Sequence, residues 1–430
     1  MKTILQVALD FVDLKRAIKL ADEAVAGGAD WLEAGTPLIK SEGLNCIREL
    51  RAKFPNIKIV ADMKTADVGR IEVEIAAKAG ANIISILGTS DDETIKESVS
   101  AGRNYGAEII VDLLGVYDVV KRAKEVEKLG VNYIGIHVSI DEQMKGKIGF
   151  DIVKKVASVV KIPVAVAGGI NSENAVDVIK SGAKIIIIGG AITKSKNAKE
   201  ETQKIKKAIT QKIKIKTEFF NRVSEKNIRD ILKKVSTANI SDALHRELPL
   251  KNVFPAFLQK DSKMIGTAVT VRTHPGDWAK PVEAIDVAKE GDVIVIDAGG
   301  VPPAVWGELA TNSAINKKIA GVVIYGGIRD IADIRKLKFP AFATVITPQA
   351  GEPKGFGEIN IPIIISGVKI QPGDWIVGDD DGVMIIPKDI AVEFTNRAMD
   401  VLERENRLRK EIKDGFSLSK VAELLKWEKK

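Results

Sequence analysis

Seven residues in the first half of this 430-residue chain have the types and spacing of a catalytic set: Asp10, Glu33, Asp62, Lys64, Asp67, Asp112 and His137. Each stands at or just beyond the end of a short, apolar, β-rich run. Glu33 and Asp62 are hard oxygen donors on successive runs, and such a pair suits Mg²⁺, or Mn²⁺ in its place, when water and substrate oxygens complete the shell. A cation there would stabilise an enediolate. Lys64 brings a second positive charge to the same oxyanion, and His137 is the side chain of the set whose ordinary pKa suits proton abstraction near neutrality. Two later runs end instead in glycine pairs, Gly168-Gly169 and Gly189-Gly190. Without side chains, these let backbone N–H groups close on a phosphate, so the expected substrate is phosphorylated.

A second set lies in the other half of the chain. Glu308 is separated from the pair Arg329-Asp330 by twenty residues, and an apolar run over 321–325 lies just upstream of that pair. Arg329 is suited to grip a carboxylate bidentately and Asp330 to bind Mg²⁺, which leaves room for a small keto acid between them.

The elements that must position the first set follow a single theme. Over residues 1–211 an apolar run is followed each time by a charged amphipathic stretch, and eight such runs can be counted, at 4–9, 31–34, 57–61, 83–87, 108–111, 133–136, 163–167 and 184–188. Eight βα units in that length predict a (β/α)₈ TIM barrel, with the chemistry at the carboxyl ends of its strands. A barrel closed on itself has no missing edge for another domain to complete. A basic linker over 212–222 follows. From 223 to 430 the strands are joined by Gly-Asp and Pro-Gly turns, as in KEGDVIVIDAGG and QPGDWIVGDDDGVMIIP, which predicts a mixed α/β domain without regular β-helix alternation. It ends in charged helices broken at Gly415.

Composition narrows the function classes. The formal charge of +7 is carried by the segment 194–216, where nine lysines face Glu200 and Glu201, so the rest of the chain sums to zero. A lysine run without interleaved arginines and aromatics reads as a solvated helix and linker, not as a nucleic-acid cleft. Cys46 is the single cysteine, which excludes an intrachain disulfide and a four-thiolate zinc site. The start, MKTILQVALD, reaches Asp10 before a signal-like apolar stretch develops, and the expectation is a cytoplasmic protein without membrane spans.

The segments QVALD, WLEAGTPLIKSEG, Asp62-Met63-Lys64-Thr65-Ala66-Asp67, IGIHVSID, AVAGGI and IIIIGGAIT resemble the orotidine-phosphate decarboxylase superfamily, and within it the 3-hexulose-6-phosphate synthase family. The resemblance covers almost all of residues 1–210. It implies an aldehyde-lyase that condenses ribulose 5-phosphate with formaldehyde, or runs the reverse reaction for ribulose 5-phosphate supply. It further implies Mg²⁺ on Glu33 and Asp62, phosphate on the glycine loops, and His137 taking the C1 proton. Lys64 would hold the enediolate, Asp10 and Asp112 would contact substrate hydroxyls, and Asp67 would reach a partner subunit's site in a barrel dimer. The sister 3-keto-L-gulonate-6-phosphate decarboxylases carry arginines where this chain reads HVSID, with Ser139, and GGAIT.

STANISDALHR, the spaced motif Glu308…Arg329-Asp330, and PGDWIVGDDDGVMIIP resemble the family of 4-hydroxy-4-methyl-2-oxoglutarate aldolase, oxaloacetate decarboxylases and the ribonuclease activity regulator A. This implies a swivelling-type α/β domain over roughly 224–400, with Asp330 on metal and Arg329 and Glu308 on substrate. The aldolases carry aspartate where this chain has Glu308. Two roles stay open for the domain: a keto-acid lyase, or a regulatory module that assembles trimers or hexamers or binds a partner.

Overall fold

Runs rich in valine, isoleucine and alanine over the first two hundred residues form eight parallel strands, β-branched side chains being at home on a pleated, half-buried surface. They are β1 (Ile4–Leu9), β2 (Trp31–Ala34), β3 (Lys58–Thr65), β4 (Ile83–Leu87), β5 (Glu108–Asp112), β6 (Tyr133–His137), β7 (Val164–Ala167) and β8 (Ile185–Ile188). The strands close in sequence order, β1 pairing with both β2 and β8, as the (β/α)₈ expectation required. This computed structural model describes residues 2–138, 143–145, 151–217 and 227–422.

Alternate residues of each strand point into the barrel. At its lower end the inward positions are filled by Trp31, Val60, Ile83, Ile110, Tyr133, Ala165 and Ile185. Trp31 meets Tyr133 edge-to-face at 5.8 Å. Truncating Trp31 to alanine in this plug would cost about 3–5 kcal/mol. The opposite face of the strands, including Leu5, Val7, Leu32, Ile59 and Ile84, packs under the helices. The first helix, Leu14–Ala26, shows why those helices form: Asp13 caps it by accepting the Arg16 amide at 2.8 Å, and Ala17, Leu20, Ala21 and Ala24 supply its buried stripe. One step up the inward face, polar residues replace apolar ones.

The third strand is longer than the sequence suggests. It continues past Ala61 to Thr65 with a register shift between those residues, and Lys64 adopts a left-handed φ of 50°. Asp62 and Lys64 therefore lie within the strand. Holding a lysine in that region costs about 1–3 kcal/mol, and such strain persists where surrounding contacts over-determine it.

The second unit carries a nine-stranded sheet in the order β19-β18-β10-β11-β13-β14-β9, with β12 beside β13 and β15 beside β10. Its strands are β9 (Phe254–Phe257), β10 (Met264–Arg272), β11 (Val293–Asp297), β12 (Ala304–Trp306), β13 (Gly321–Ile328), β14 (Ala341–Ile346), β15 (Glu358–Ile359), β18 (Trp375–Asp379) and β19 (Gly382–Ile386), and β16 (Ile363–Ile365) with β17 (Val368–Ile370) makes a separate hairpin. The Gly-Asp turns act alike: Asp292 accepts the amide of Lys289 and Asp374 that of Gln371, each at 2.8 Å, immediately before β11 and β18. One expectation is corrected. Strands β10, β11, β13 and β14 are parallel, with the helices Ala279–Val287, Glu308–Asn316 and Ile331–Leu337 between them, so β-helix alternation persists at the centre of this domain. The turn-rich hairpins at its edges hid it.

The domain boundary also differs. One compact unit contains Met1–Arg222 together with Glu403–Lys430, and the other contains Val223–Leu402. Ala391, Ala398 and Met399 of the helix Ala391–Lys413 belong to the second unit's core. From Glu403 onward the chain groups with the barrel, not with the 223–430 domain. Gly415, at φ 97°, does separate this helix from the short one at Leu418–Val421. The start of the expected linker lies against the barrel, because the Ile215 amide donates to the Ser172 carbonyl at 3.0 Å and the Thr217 amide to Glu173 at 2.6 Å. No helix among the described residues is long and apolar enough to cross a membrane.

Candidate active site

The polar upper layer of the barrel centres on Asp112, the last residue of β5. Its Oδ2 lies 3.1 Å from Lys64 Nζ and 3.6 Å from His137 Nδ1, while its Oδ1 accepts the Leu114 amide at 3.0 Å. Lys64 also donates to Asp62 at 3.1 Å. Asp62 is held in turn by Ser85 Oγ at 2.8 Å and by Thr36 Oγ1 at 2.7 Å. Glu33 accepts a hydrogen bond from Gln6 Nε2. Thus the β3 bulge, the ends of β5 and β6, and the inward faces of β1, β2 and β4 converge on one cluster.

Charge is unevenly compensated in this cluster. Burial pushes the Glu33 carboxyl well above its usual value, and the neighbouring Asp62 and Asp10 push it further, against the Gln6 hydrogen bond and Lys64. Asp10 stands in the open mouth, reached by solvent yet crowded by protein. That crowding, followed by the Asp62 charge, raises it, while His137, Lys64 and Lys194 pull the other way. Burial alone would raise Asp112 too, but the nearby His137 and the Lys64 charge hold it below the ordinary carboxylate range. Burial opposes the charge on Lys64, and Asp62 and Asp112 overcome it and keep the ammonium firmly protonated. The result is a fixed cation, an ionised Asp112 and a buried Glu33 carboxyl with the amide of Gln6 as its hydrogen-bond donor.

Asp10, Glu33, Asp62, Lys64, Asp112 and His137 are therefore brought together as expected. Asp67 is not: it is exposed, with its Oδ1 accepting the Val68 amide at 2.7 Å. Among the described residues no three carboxylate, imidazole or thiolate side chains form a preformed metal cage. A pair of ligands that leaves places for water and substrate matches Mg²⁺ better than such a cage does. Three supporting residues were missed in the sequence: Gln6, Thr36 and Ser85. The signal for Gln6 was present, because it shares the inward parity of β1 with Asp10.

Of the glycine pairs, the first is the more constrained. Gly168 has φ 107°, and a Cβ there would lie 2.4 Å from the Val138 carbonyl. Gly169 also has a positive φ, 65°, and its carbonyl accepts Asn174 Nδ2 at 2.8 Å. Asp10 fits against the other pair: a Cβ on Gly189 would lie 3.3 Å from Asp10 Oδ2. Gly190 opens the short helix Gly190–Thr193. Ser139 lies outside the described residues.

In the second unit the Glu308 backbone, Arg329 and Asp330 come together. Asp330 Oδ2 accepts the Glu308 amide at 3.1 Å and lies 3.4 Å from Arg329 Nε. Asp330 has a left-handed φ of 58° at the turn after β13, and a Cβ on Gly307 would lie 2.5 Å from its Oδ2. The Glu308 carboxylate accepts a hydrogen bond from Asn312, one turn along its own helix.

Comparison with known proteins matches both halves. The family described as "Orotidine 5'-phosphate decarboxylase / HUMPS family" matches residues 3–205, and the one described as "RraA-like: Aldolase/RraA" matches residues 237–385. The 3-hexulose-6-phosphate synthase of Bacillus subtilis is 39% identical over 208 residues, covering 48% of this chain and 99% of that protein. That of Methylomonas aminofaciens is 43% identical over 188 residues, 44% of this chain and 90% of that protein. The crystal structure of 3-hexulose-6-phosphate synthase from Salmonella typhimurium, 32% identical, covers 49% of this chain and 99% of its own with a TM-score of 0.47. The barrel and its relatives define the class: the protein is a (β/α)₈-barrel enzyme. Through that barrel it belongs to the orotidine 5'-phosphate decarboxylase / HUMPS family, with an RraA-like domain following.

Proposed function

We propose that the barrel is a 3-hexulose-6-phosphate synthase, joining ribulose 5-phosphate to formaldehyde in an aldol condensation or cleaving the product in reverse. The observation that carries this reading is Asp112 Oδ2, placed 3.1 Å from Lys64 and 3.6 Å from His137 beside the buried Glu33 and Asp62. Identities of 39% and 43% with named synthases support it.

The donor set fits a divalent cation, since burial raises the Glu33 carboxyl and the nearby Asp62 and Asp10 charges raise it further. Bound at Glu33 and Asp62, Mg²⁺ or Mn²⁺ supplies positive charge that polarises substrate oxygens. His137 takes a proton from C1 of ribulose 5-phosphate, and the electron pair left behind becomes the enediolate. Lys64 faces the developing negative oxygen. C1 then attacks the formaldehyde carbon, and the former carbonyl oxygen takes the proton back from the imidazolium, so that His137 ends the cycle neutral. Gly168, Gly169, Gly189 and Gly190 receive the phosphate, and Asp10 and Asp112 contact substrate hydroxyls. Asp67 serves a partner's site across a barrel dimer, a role supported by the exposed Val68, Ile71 and Ile75 beside it.

Purified protein should consume formaldehyde only in the presence of ribulose 5-phosphate, lose that activity in EDTA and recover it with Mg²⁺. Release of CO₂ from 3-keto-L-gulonate 6-phosphate without aldol activity would select the sister reaction instead.

For the RraA-like domain, the convergence of the Glu308 backbone, Arg329 and Asp330 supports a metal-dependent keto-acid lyase, with Asp330 on the metal and Arg329 on the substrate carboxylate. Mg²⁺-dependent decarboxylation of oxaloacetate tests it. No turnover, together with a change of oligomeric state on deleting the domain, would select the assembly role.

A further inference from the structure

Glu23, on the helix Leu14–Ala26, is a carboxylate the reaction does not use. Its Oε2 accepts the amide of Ala198 at 3.2 Å, at the start of the helix Ala198–Gln211. A guanidinium from the far end of the chain completes its shell. Arg407 donates through Nη2 to Glu23 Oε1 at 2.9 Å and through Nη1 to Oε2 at 3.0 Å, the bidentate geometry that fixes orientation as well as charge. Arg407 Nε donates to Glu411 Oε1 at 2.9 Å, and Glu411 Oε2 lies 3.3 Å from Arg16 Nε. Only 4% of the Arg407 side chain and 7% of the Glu411 side chain are exposed.

One further contact points to a role. Arg407 Nη1 reaches the carbonyl of Ser195 at 3.4 Å, and the Ser195 amide donates to the Ile192 carbonyl at 3.1 Å. The Thr193 and Lys194 amides donate to the Gly189 and Gly190 carbonyls at 3.0 Å, so Ser195 directly follows the turn that begins at that glycine pair. The guanidinium holds this turn from behind, and through Glu23 it holds the next helix at Ala198. A buried ion network of this kind is a poor source of stability, because desolvation offsets most of its attraction and an apolar contact of the same volume does as well. What it supplies is a single register for the groups it joins. Burial would raise Glu23, yet the Arg407 hydrogen bonds and charge, with Lys410 and the Ala198 amide, bring it below its usual value.

We propose that Arg407 is a positioning residue for the phosphate turn of the barrel, setting the Gly189-Gly190 backbone where the phosphate of a phosphosugar binds. The inference rests on the reading that these glycines receive the phosphate. It makes the chain from Glu403 a working part of the barrel, although Arg407 lies 212 positions beyond Ser195 in the sequence.

The test uses the full chain, with inorganic phosphate as the calorimetric probe and ribulose 5-phosphate as the kinetic one. Arg407→Met should raise the phosphate Kd and the ribulose 5-phosphate KM by about 10- to 100-fold, as a displaced positioning group does. Its kcat should stay within about threefold of wild type, because the proton-transfer groups are untouched. Arg407→Lys should recover part of the loss, a point charge replacing a fork. If Arg407→Met fails to fold, Glu23→Gln, which keeps the shape and an acceptor for Ala198, should show the same rise. Unchanged phosphate Kd and KM in folded Arg407→Met overturn the proposal, as does a wild type that does not bind inorganic phosphate. Phosphate binding that depends on Arg407 in a protein without formaldehyde turnover would uphold it and sink the synthase reading alone.

Discussion

Asp112 Oδ2 lies 3.6 Å from His137 Nδ1, an arrangement that would favour hydrogen on that ring nitrogen and leave Nε2 for the base role proposed above. The depressed Asp112 pKa keeps that carboxylate charged, and Lys64 on the same oxygen, with the Leu114 amide on the other, keeps it in place.

His137→Ala should therefore lower turnover by about 10²- to 10⁴-fold. Substrate KM should change little, because phosphate and hydroxyl contacts are made elsewhere. Steady-state kinetics with varied ribulose 5-phosphate check this, and a wild-type kcat would reduce the histidine to a packed strand end.

A second expectation follows from the sign of the Glu33 shift. Burial, then Asp62 and Asp10, raise this carboxyl above its ordinary 4.5, so the native state keeps the proton to higher pH than the unfolded chain does. Its stabilising contribution is complete below that ordinary value and is lost as pH rises through the raised native pKa. Asp10 acts in the same direction, whereas the lowered Asp112 contributes above the ordinary carboxylate range and loses its share in acid. The Tm difference between wild type and Glu33→Gln isolates the first effect. In EDTA that difference should move against wild type between about pH 5 and about pH 8, and Mg²⁺ should reverse the trend. A flat difference across that range contradicts the account.

Gln6→Leu removes the amide that orients Glu33. Groups that orient a metal ligand are typically worth 10- to 100-fold, so the Mg²⁺ concentration for half-maximal activity should rise by about that factor. A titration with unchanged midpoint would show that Glu33 needs no such support.

Gln6 also marks the limit of what was legible. The inward parity of a strand places Asp10, Glu33, Asp62 and Asp112 at one mouth from spacing alone, and the observed strands begin within one residue of the expected runs. The Lys64 bulge was not readable, because its left-handed backbone follows from the contacts Lys64 makes with Asp62 and Asp112, not from local propensity. The parallel centre of the second domain was masked by neighbouring Gly-Asp turns. Arg407 carried no sequence signal, since a charged residue on a polar helix reads as solvated until tertiary structure buries it.

In the RraA-like domain, Asp330→Ala should remove keto-acid decarboxylation by about 10²-fold or more, the loss of a Lewis-acid site. Glu308→Asp shortens the carboxylate that Asn312 now engages and should raise that activity, as aspartate stands there in the aldolases. Coupled assays on oxaloacetate read both. Equal rates in wild type and Asp330→Ala would leave the domain without this chemistry.

The most direct test of the barrel's role is carbon NMR of the full-length protein with ¹³C-formaldehyde, ribulose 5-phosphate and Mg²⁺. The account predicts that the label moves into C1 of a hexulose 6-phosphate, at a rate abolished by EDTA and reduced in His137→Ala. Label that stays in hydrated formaldehyde while the folded, metal-loaded enzyme is present would contradict it.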